Sequence, residues 1–440
     1  MRQIADFHIH SKYSRACSRD LMLSSIDKTC REKGIDIIGT GDFTYPDWFR
    51  AIKDELEEIK INNFHRPDAY SGKIRPTPLA KRGESGLYKL KTAKDEKVKF
   101  ILSTELALIY KKNDRVRRIH ILVYAPNVAA VEEMNNYLDS RYNIRSDGRP
   151  ILGMPCEDLI KLCLGIHPDF LIYPAHIWTP WFSMFGSKSG FNSIEECFGE
   201  HTKNIFAYET GLSSDPEMNW RLSALDKLTL LSNSDAHSLP NLGREANVFE
   251  LTKEEISYDG IYNAIKNKTS DRLKFTIEFY PEEGMYHYDG HRDCNIRLAP
   301  NETKKHKGIC PVCKKPLTIG VLNRVEELAD RTAGFQPENS PGFKKLVELD
   351  KIIAEALNVK SRQSSKVKSE YNNLIQNLGT ELSILLDVDI DAIRKVAGSK
   401  IAEGVKNMRD GNLTVLPGYD GQYGEVKIFD KIEDKQNQLF

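Results

Sequence analysis

Residues 4–11 read IADFHIHS and residues 227–238 read KLTLLSNSDAHS. Each is an apolar run that ends in acid and imidazole groups spaced two residues apart. In an extended strand, residues i and i+2 share a face about 6.6 Å apart. Asp6, His8 and His10 in the first run, and Asp235 and His237 in the second, can therefore turn pairs of chelating groups toward one cation. Between them lie further β-rich runs: IDIIGT (35–40), VKFILS (98–103), RIHILVY (118–124), DFLIYPA (169–175) and IFAYET (205–210). Helical patterns separate most of them, at 23–33, 47–60, 127–139, 155–163 and 216–226; the last begins at Asp215-Pro216, an N-cap followed by a first-turn proline. This alternation predicts an α/β domain of parallel strands flanked by helices, either a barrel or an open sheet.

Three more polar residues sit at or just after apolar runs: Glu105 in ILSTEL, His120 in RRIHILVY and His176 in LIYPAHIW. Parallel strands bring their C-terminal ends to one mouth, so these groups are expected to converge with the two pairs above. Burying that many polar groups without a cation is costly. A metal centre is the economical reading.

Lys+Arg 63 balances Asp+Glu 63, so the 440-residue chain as a whole offers no electrostatic argument for nucleic acid, and any such argument is local. The segment MRQIADFHIHSKYS lacks the apolar core of a signal peptide, and no stretch approaches the roughly 20 apolar residues of a membrane span, so a cytoplasmic protein without membrane contact is expected. Cys17, Cys30, Cys156, Cys163 and Cys197 are scattered through the first half and read as reduced, buried thiols. Residues 61–98 form a Gly-, Pro- and Lys-rich stretch too long for a simple connection, which marks a functional or mobile loop. From about 279 the chain becomes polar and rich in His, Cys and Lys, and beyond 320 it reads as helix to about 408. Three units follow, 1–278, 279–325 and 326–440. In the third, NLIQNLGTELSILLDV carries a core-facing stripe, and PGYDGQYGEVKIFD closes with turn chemistry and a short β-like end.

His291, Cys294, Cys310 and Cys313 stand in HRDC and CPVC, two pairs of the spacing that lets one tetrahedral zinc hold two turns together. Four protein ligands leave no open position, so the zinc is structural; His287 and His306 are nearby alternatives to His291. Lys304, Lys305, Lys307, Lys314 and Lys315 surround the second cysteine pair and suit a nucleic-acid surface. A second basic cluster, Lys111, Lys112, Arg115, Arg117 and Arg118, precedes His120, and a third lies in KSRQSSKVK. After His176, HIWTPWFSMFG offers Trp178, Trp181, Phe182 and Phe185 as faces for a base.

The order HxH, GTGDF, Glu105, His120, PAH and SDAH resembles the PHP (polymerase and histidinol phosphatase) family. That resemblance implies a distorted seven-stranded β/α barrel, a phosphoesterase activity and up to three divalent metals, zinc, manganese or magnesium. It implies ligands at His8, His10, Asp42, Glu105, His120, His176, Asp235 and His237, with Glu105 the bridge and Asp235, His237 and Glu105 closest to catalysis. Gly41-Asp42-Phe43 departs from the family's Thr-Asp-His, which puts one metal position in question. With YHYDGHRDC, CPVCKKPL and a helical end added, the whole chain is similar to the endonuclease Q family of DNA repair nucleases. That family cuts 5′ to uracil, hypoxanthine, xanthine and abasic sites. The four aromatics and Arg117, Arg118, Lys304 and Lys305 are the candidate base or DNA contacts, and the helical region is open to three roles: clamping DNA, docking a sliding clamp or covering the barrel. A small-molecule phosphatase of the histidinol phosphate type and a non-catalytic DNA-binding scaffold are the competing readings.

Overall fold

The computed structural model describes residues 1–61, 84–269 and 271–429. Its strands are β1 (Arg2–Asp6), β2 (Ile37–Gly39), β3 (Leu56–Lys60), β4 (Glu84–Leu90), β5 (Lys99–Ile101), β6 (Ser103–Lys112), β7 (Arg115–Tyr124), β8 (Ile151–Leu152) and β9 (Leu171–Pro174). They continue with β10 (Ala207–Glu209), β11 (Thr229–Leu231), β12 (Ala246–Glu250), β13 (Leu273–Glu278), β14 (Asp289–His291), β15 (Ile296–Leu298), β16 (Gly342–Lys345), β17 (Thr414–Leu416) and β18 (Glu425–Lys427). An eight-stranded sheet runs β16-β13-β12-β1-β2-β5-β4-β3, a four-stranded sheet runs β8-β6-β7-β9, and β10 pairs with β11.

The fold is mixed α/β, but it departs from uniform parallel alternation. β1, β2 and β5 are parallel, as are β10 and β11. β6 and β7 instead form a long antiparallel hairpin closed by Asn113 and Asp114, both at positive φ. Such a two-residue turn matches the twist of the strands it joins. β12 is antiparallel to β1, and β9 to β7. Among the described residues these strands divide between separate sheets, and no single closed barrel is formed by them.

The expected helix 47–60 ends early. Pro46–Glu55 is helical and buries Trp48, Phe49 and Ile52, whereas Leu56–Lys60 pairs with β4. Part of the expected 61–98 loop is thus strand, while residues 62–83 lie outside the described residues. The expected helix at 216–226 is a single turn, Pro216–Asn219, followed by a 3-10 turn, and its cap is as expected: the Asp215 side chain accepts from Met218 N. Beneath the sheets, Phe7 packs edge-on against Tyr124 and tilted against Phe249, with ring centroids 6.1 and 6.0 Å away.

Beyond β15 the chain does not remain helical. After the helix Val321–Leu328 it returns to the large sheet as β16, parallel to β13. Four helices follow, Leu349–Ala356, Ser365–Leu378, Glu381–Leu386 and Ile390–Asp410, the last broken at Gly398 by a φ of 83°. They enclose Ile352, Ile353, Val367, Leu374, Ile393 and Val405. Residues 417–424 then fold back on the segment before β14: Tyr288 N donates to Gly418 O, Gly421 N to Met285 O and Gly424 N to Glu283 O. No helix of the described residues is long and apolar enough to cross a membrane.

Candidate functional site

The ends of five strands meet at one place. His8 and His10 continue β1, Asp42 follows β2, His176 follows β9, Glu209 ends β10 and Asp235 follows β11. The continuations of β1 and β11 are stitched by a parallel bridge between Ile9 and Ala236. Glu105 and His120 arrive differently, from the β6–β7 hairpin. Glu105 faces Leu122 directly, so His120, two residues from Leu122, shares its face one diagonal away. The His120 Nδ1–Glu105 Oε distance is 2.6 Å.

Two groups of potential ligand atoms result, each drawn within 4.8 Å: His8, His10, Glu105 and Asp235 in one, Glu105, His120 and His176 in the other. Glu105 belongs to both. Its carboxylate lies 3.2 Å from His10 Nε2, 3.0 Å from His176 Nε2 and 2.9 Å from Arg149 Nη1. Burial opposes its ionisation, yet His120, Arg149 and His8 hold it well below the ordinary carboxylate range. Burial pushes His120 down to about 4, against the opposing pull of the Glu105 carboxylate.

The donor set fits divalent cations because, in His8, His10 and His176, one ring nitrogen is occupied from outside and the other is turned to the centre. His8 Nδ1 lies 3.0 Å from Glu209 Oε1, and its Nε2 is buried without a hydrogen-bond partner. His10 Nδ1 lies 3.0 Å from Asp42 Oδ1 while its Nε2 faces Glu105 and Asp235. His176 Nδ1 lies 3.2 Å from Thr179 Oγ1 and its Nε2 meets Glu105. A carboxylate or hydroxyl behind a histidine fixes its tautomer and ring orientation, as metal-binding imidazoles require.

Asp42 is brought to the site but stands behind it. Its Oδ2 accepts from Ser11 N, Ser11 Oγ and Ser14 Oγ at 2.7, 2.7 and 2.8 Å, and Oδ1 holds His10. It therefore takes the supporting position, and Phe43, the departure from the family pattern, is fully buried core. His237 is also outside both groups. Its Nδ1 is 2.8 Å from the Asp235 carbonyl and its ring stacks at a tilt 4.6 Å from that of His10. Asp6 does not reach the centre either. It accepts from Ser234 N, Ser234 Oγ and Gly243 N, fixing the loop that carries Asp235, and burial raises it to about 6.

Asp42, His176 and Asp235 all have positive φ, 46°, 29° and 46°. Such backbone costs about 1–3 kcal/mol per residue and persists only where its surroundings hold it. Gly211 shows the constraint: at a φ of 63°, its added Cβ would run into the Cβ of His176.

Two residues of the site escaped the sequence reading. Glu209 receives His8 Nδ1, His176 N and Asn233 Nδ2, the last two at 2.9 Å each. It is the penultimate residue of the run IFAYET and ends β10, the same strand-end signal that marks the others. Arg149, in a loop without periodicity, left no such signal.

Of the expected DNA contacts, Trp178 and Phe185 are buried against each other, centroids 5.0 Å apart, with the Trp178 indole N–H donating to Asn219, so they pack the core and cannot meet a base. Arg117 is likewise buried, over the Phe191 ring and bonded to Gly190 O, and is unavailable to phosphate. Trp181, Lys304 and Lys305 are exposed, and Phe182 and Arg118 half-buried. Phe182 lies 4.7 Å from the His120 ring.

His291, Cys294, Cys310 and Cys313 bring their ligand atoms within 4.8 Å of one another on the β14–β15 hairpin and the following loop. His287 is buried beside Tyr288, and His306 is not in the group. The two-pair, four-donor set fits a tetrahedral zinc.

Comparison with known proteins bears on the whole chain. Residues 348–412 match the family model described as the MJ0043 C-terminal domain. The uncharacterized protein MJ0043 of Methanocaldococcus jannaschii is 33% identical over 256 residues, 57% of this chain but only 31% of that protein. The uncharacterized protein YqxK of Bacillus subtilis is 29% identical over 96% of this chain and 98% of its own. Among solved structures, the lesion-specific endonuclease PfuEndoQ from Pyrococcus furiosus superposes with a TM-score of 0.81 at 29% identity, covering 99% of both chains. Endonuclease Q in complex with a 27-mer duplex bearing an abasic lesion superposes at 0.79, also at 29% identity, over 99% of this chain and 100% of that one.

Proposed function

We propose that this chain, which resembles endonuclease Q from end to end, is a DNA repair endonuclease that hydrolyses the phosphodiester on the 5′ side of hypoxanthine, uracil, xanthine or an abasic site. The observation that carries the reading is the superposition of 99% of the chain on a lesion-specific nuclease at a TM-score of 0.81; the metal-ligand groups, cysteine module and helical end of this chain support it. A small-molecule phosphatase needs neither of the last two parts. The strand-end ligand set suits a distorted PHP barrel whose hydrogen-bonding is interrupted between sheets.

His8, His10, Glu105 and Asp235 would hold one divalent cation and Glu105, His120 and His176 a second, with Glu105 shared. Bound there, such ions acidify water and neutralise charge building on the phosphoryl oxygens. The chain supplies the rest. Asp42, Glu209 and Thr179 orient the imidazoles. His237 fixes its Nδ1 proton on the Asp235 carbonyl, which leaves Nε2 at the mouth to take or return a proton. Arg149 uses one N–H on Glu105 and keeps the others for a phosphate oxygen. His291, Cys294, Cys310 and Cys313 would hold one zinc in the cysteine module, whose Lys304 and Lys305 meet the DNA backbone. Easier extrusion of an unpaired base favours lesions over intact pairs.

The test is an end-labelled duplex with a single deoxyinosine, magnesium or manganese, and a control variant, Asp235→Asn. A nick just 5′ of the inosine, absent from undamaged duplex and from the variant, is expected; phosphate release from small esters without a nick would replace the nuclease by a phosphatase. In the same assay Arg149→Ala should cut about 10- to 100-fold more slowly, the worth of a charge-assisted hydrogen bond, with unchanged metal content. A rate within twofold of the parent removes Arg149 from the reaction.

A further inference from the structure

Of the four tryptophans, Trp48, Trp178 and Trp220 are buried, whereas Trp181 is 43% exposed. Its position is rigidly set. Thr179 Oγ1 donates to Trp181 O at 2.9 Å, His120 N to Phe182 O at 3.0 Å, and Arg324 Nε to Phe185 O at 3.0 Å. At Phe182 a φ of 59° reverses the chain. Phe182 therefore lies on the ring of His120, and its neighbour Trp181 stands on the outer rim of the same centre.

The rim is shared with the cysteine module. The Tyr286 ring stands 5.8 Å from the Trp181 ring at 77°. Val321 N donates to Tyr286 O at 2.7 Å, and Gly421 closes in on the phenol: a Cβ there would lie 3.7 Å from Tyr286 Oη and 3.4 Å from Arg292 Nη1. In an edge-to-face pair at least one ring keeps an uncovered face. Here the pair is half open to solvent, anchored by backbone on both sides, joined to the metal centre through Phe182 and flanked by the Arg292 guanidinium, which is 60% exposed. Aromatic faces beside cationic groups are what single-stranded or unpaired nucleotides bind, because every base has a π-face.

We propose that Trp181 and Tyr286 form a base-stacking step, built from both modules, that takes one nucleobase beside the scissile phosphodiester once the lesion has opened the duplex. The step rests on the nuclease reading above and adds a subsite to it. It explains why an indole is left in solvent while the adjacent aromatics are packed away.

The test uses the full chain in the Asp235→Asn background, so that the duplex stays uncut. Because the other three tryptophans are buried, DNA stacking on Trp181 should quench the exposed part of the indole emission during titration with inosine or abasic duplex. Adding Trp181→Ala should abolish that quench and weaken lesion-duplex binding about 5- to 100-fold, the range for loss of one stacked base, with undamaged duplex bound as before. Trp181→Phe should restore most of the affinity, and Tyr286→Ala should weaken lesion binding in the same direction. Equal lesion affinity in Trp181→Ala overturns the proposal, as does binding without a quench; equal affinity in Tyr286→Ala overturns the two-module step. A parent chain that neither binds nor nicks lesion DNA fails at the nuclease reading itself, which the nicking assay reports separately.

Discussion

Glu105→Gln reduces lesion-dependent nicking about a thousandfold or more, and Glu209→Gln reduces it about 10- to 100-fold. The order follows from where each carboxylate stands. Glu105 is the member common to both groups of ligand atoms, with three imidazoles and Arg149 within 3.2 Å. The amide keeps its shape but offers one acceptor where two were used, and turns an N–H₂ toward donors such as Arg149. Losing one shared anionic ligand weakens both cation positions, and several kcal/mol of lost charge stabilisation is about three decades of rate. Glu209 touches the outer nitrogen of His8, a backbone N–H and the Asn233 amide, and none of the inner nitrogens, so its loss leaves the inner donors in place but loosely aimed. Outer partners of this kind are worth about 10- to 100-fold. Metal content by mass spectrometry and nicking rates, measured on the same preparations, check both. A Glu105→Gln protein cutting within tenfold of the parent would sink the shared-ligand assignment.

Cys310→Ser costs the chain one equivalent of zinc and unfolds the cysteine module while the other cation positions keep their metal. The four ligands enclose only a small apolar cluster, Ile296, Leu298, Cys310 and Leu317. Two short strands with a core that small are not stable by themselves, whereas a structural zinc contributes on the order of 10–16 kcal/mol to the folded state of such a module. Replacing the one fully buried thiolate should lower zinc stoichiometry by one, expose residues near 290–318 to protease and remove lesion-duplex affinity. A Cys310→Ser protein that retains its zinc and protease resistance contradicts a structural role.

The candidate ligands on strand ends are readable in sequence because those strands are short, apolar and spaced by helices; HxH and SDAH lie on such ends, and Glu209 carries the same signal, whereas Glu105 and His120 sit inside the long β6–β7 hairpin. Strand direction was not readable from apolar runs. It was set by Asn113-Asp114, two residues that look like an interruption in a basic cluster and in fact reverse the chain between Glu105 and His120. Arg149 reaches Glu105 from a loop, where no periodicity points to a destination. The aromatics after His176 illustrate a further limit: sequence places Trp178 and Trp181 three residues apart, but only packing against Asn219 and Phe185 decides that the first is interior and the second is not.

The return of residues 417–424 onto the hairpin sets an order of events during synthesis. Tyr419 bonds to Asn295, 124 positions earlier in the chain, and Asp420 holds Arg292 N and Thr318 Oγ1. A ribosome adding about 5–20 residues per second delivers the hairpin several seconds ahead of the segment that clasps it. In that interval the rim that carries Tyr286 lacks the wall formed by Gly421, while the ligand-bearing strands before residue 240 are already out. The nascent polypeptide therefore carries every residue of the two candidate ligand groups before the clasp exists, and a chain released early has those residues without the segment that completes the rim.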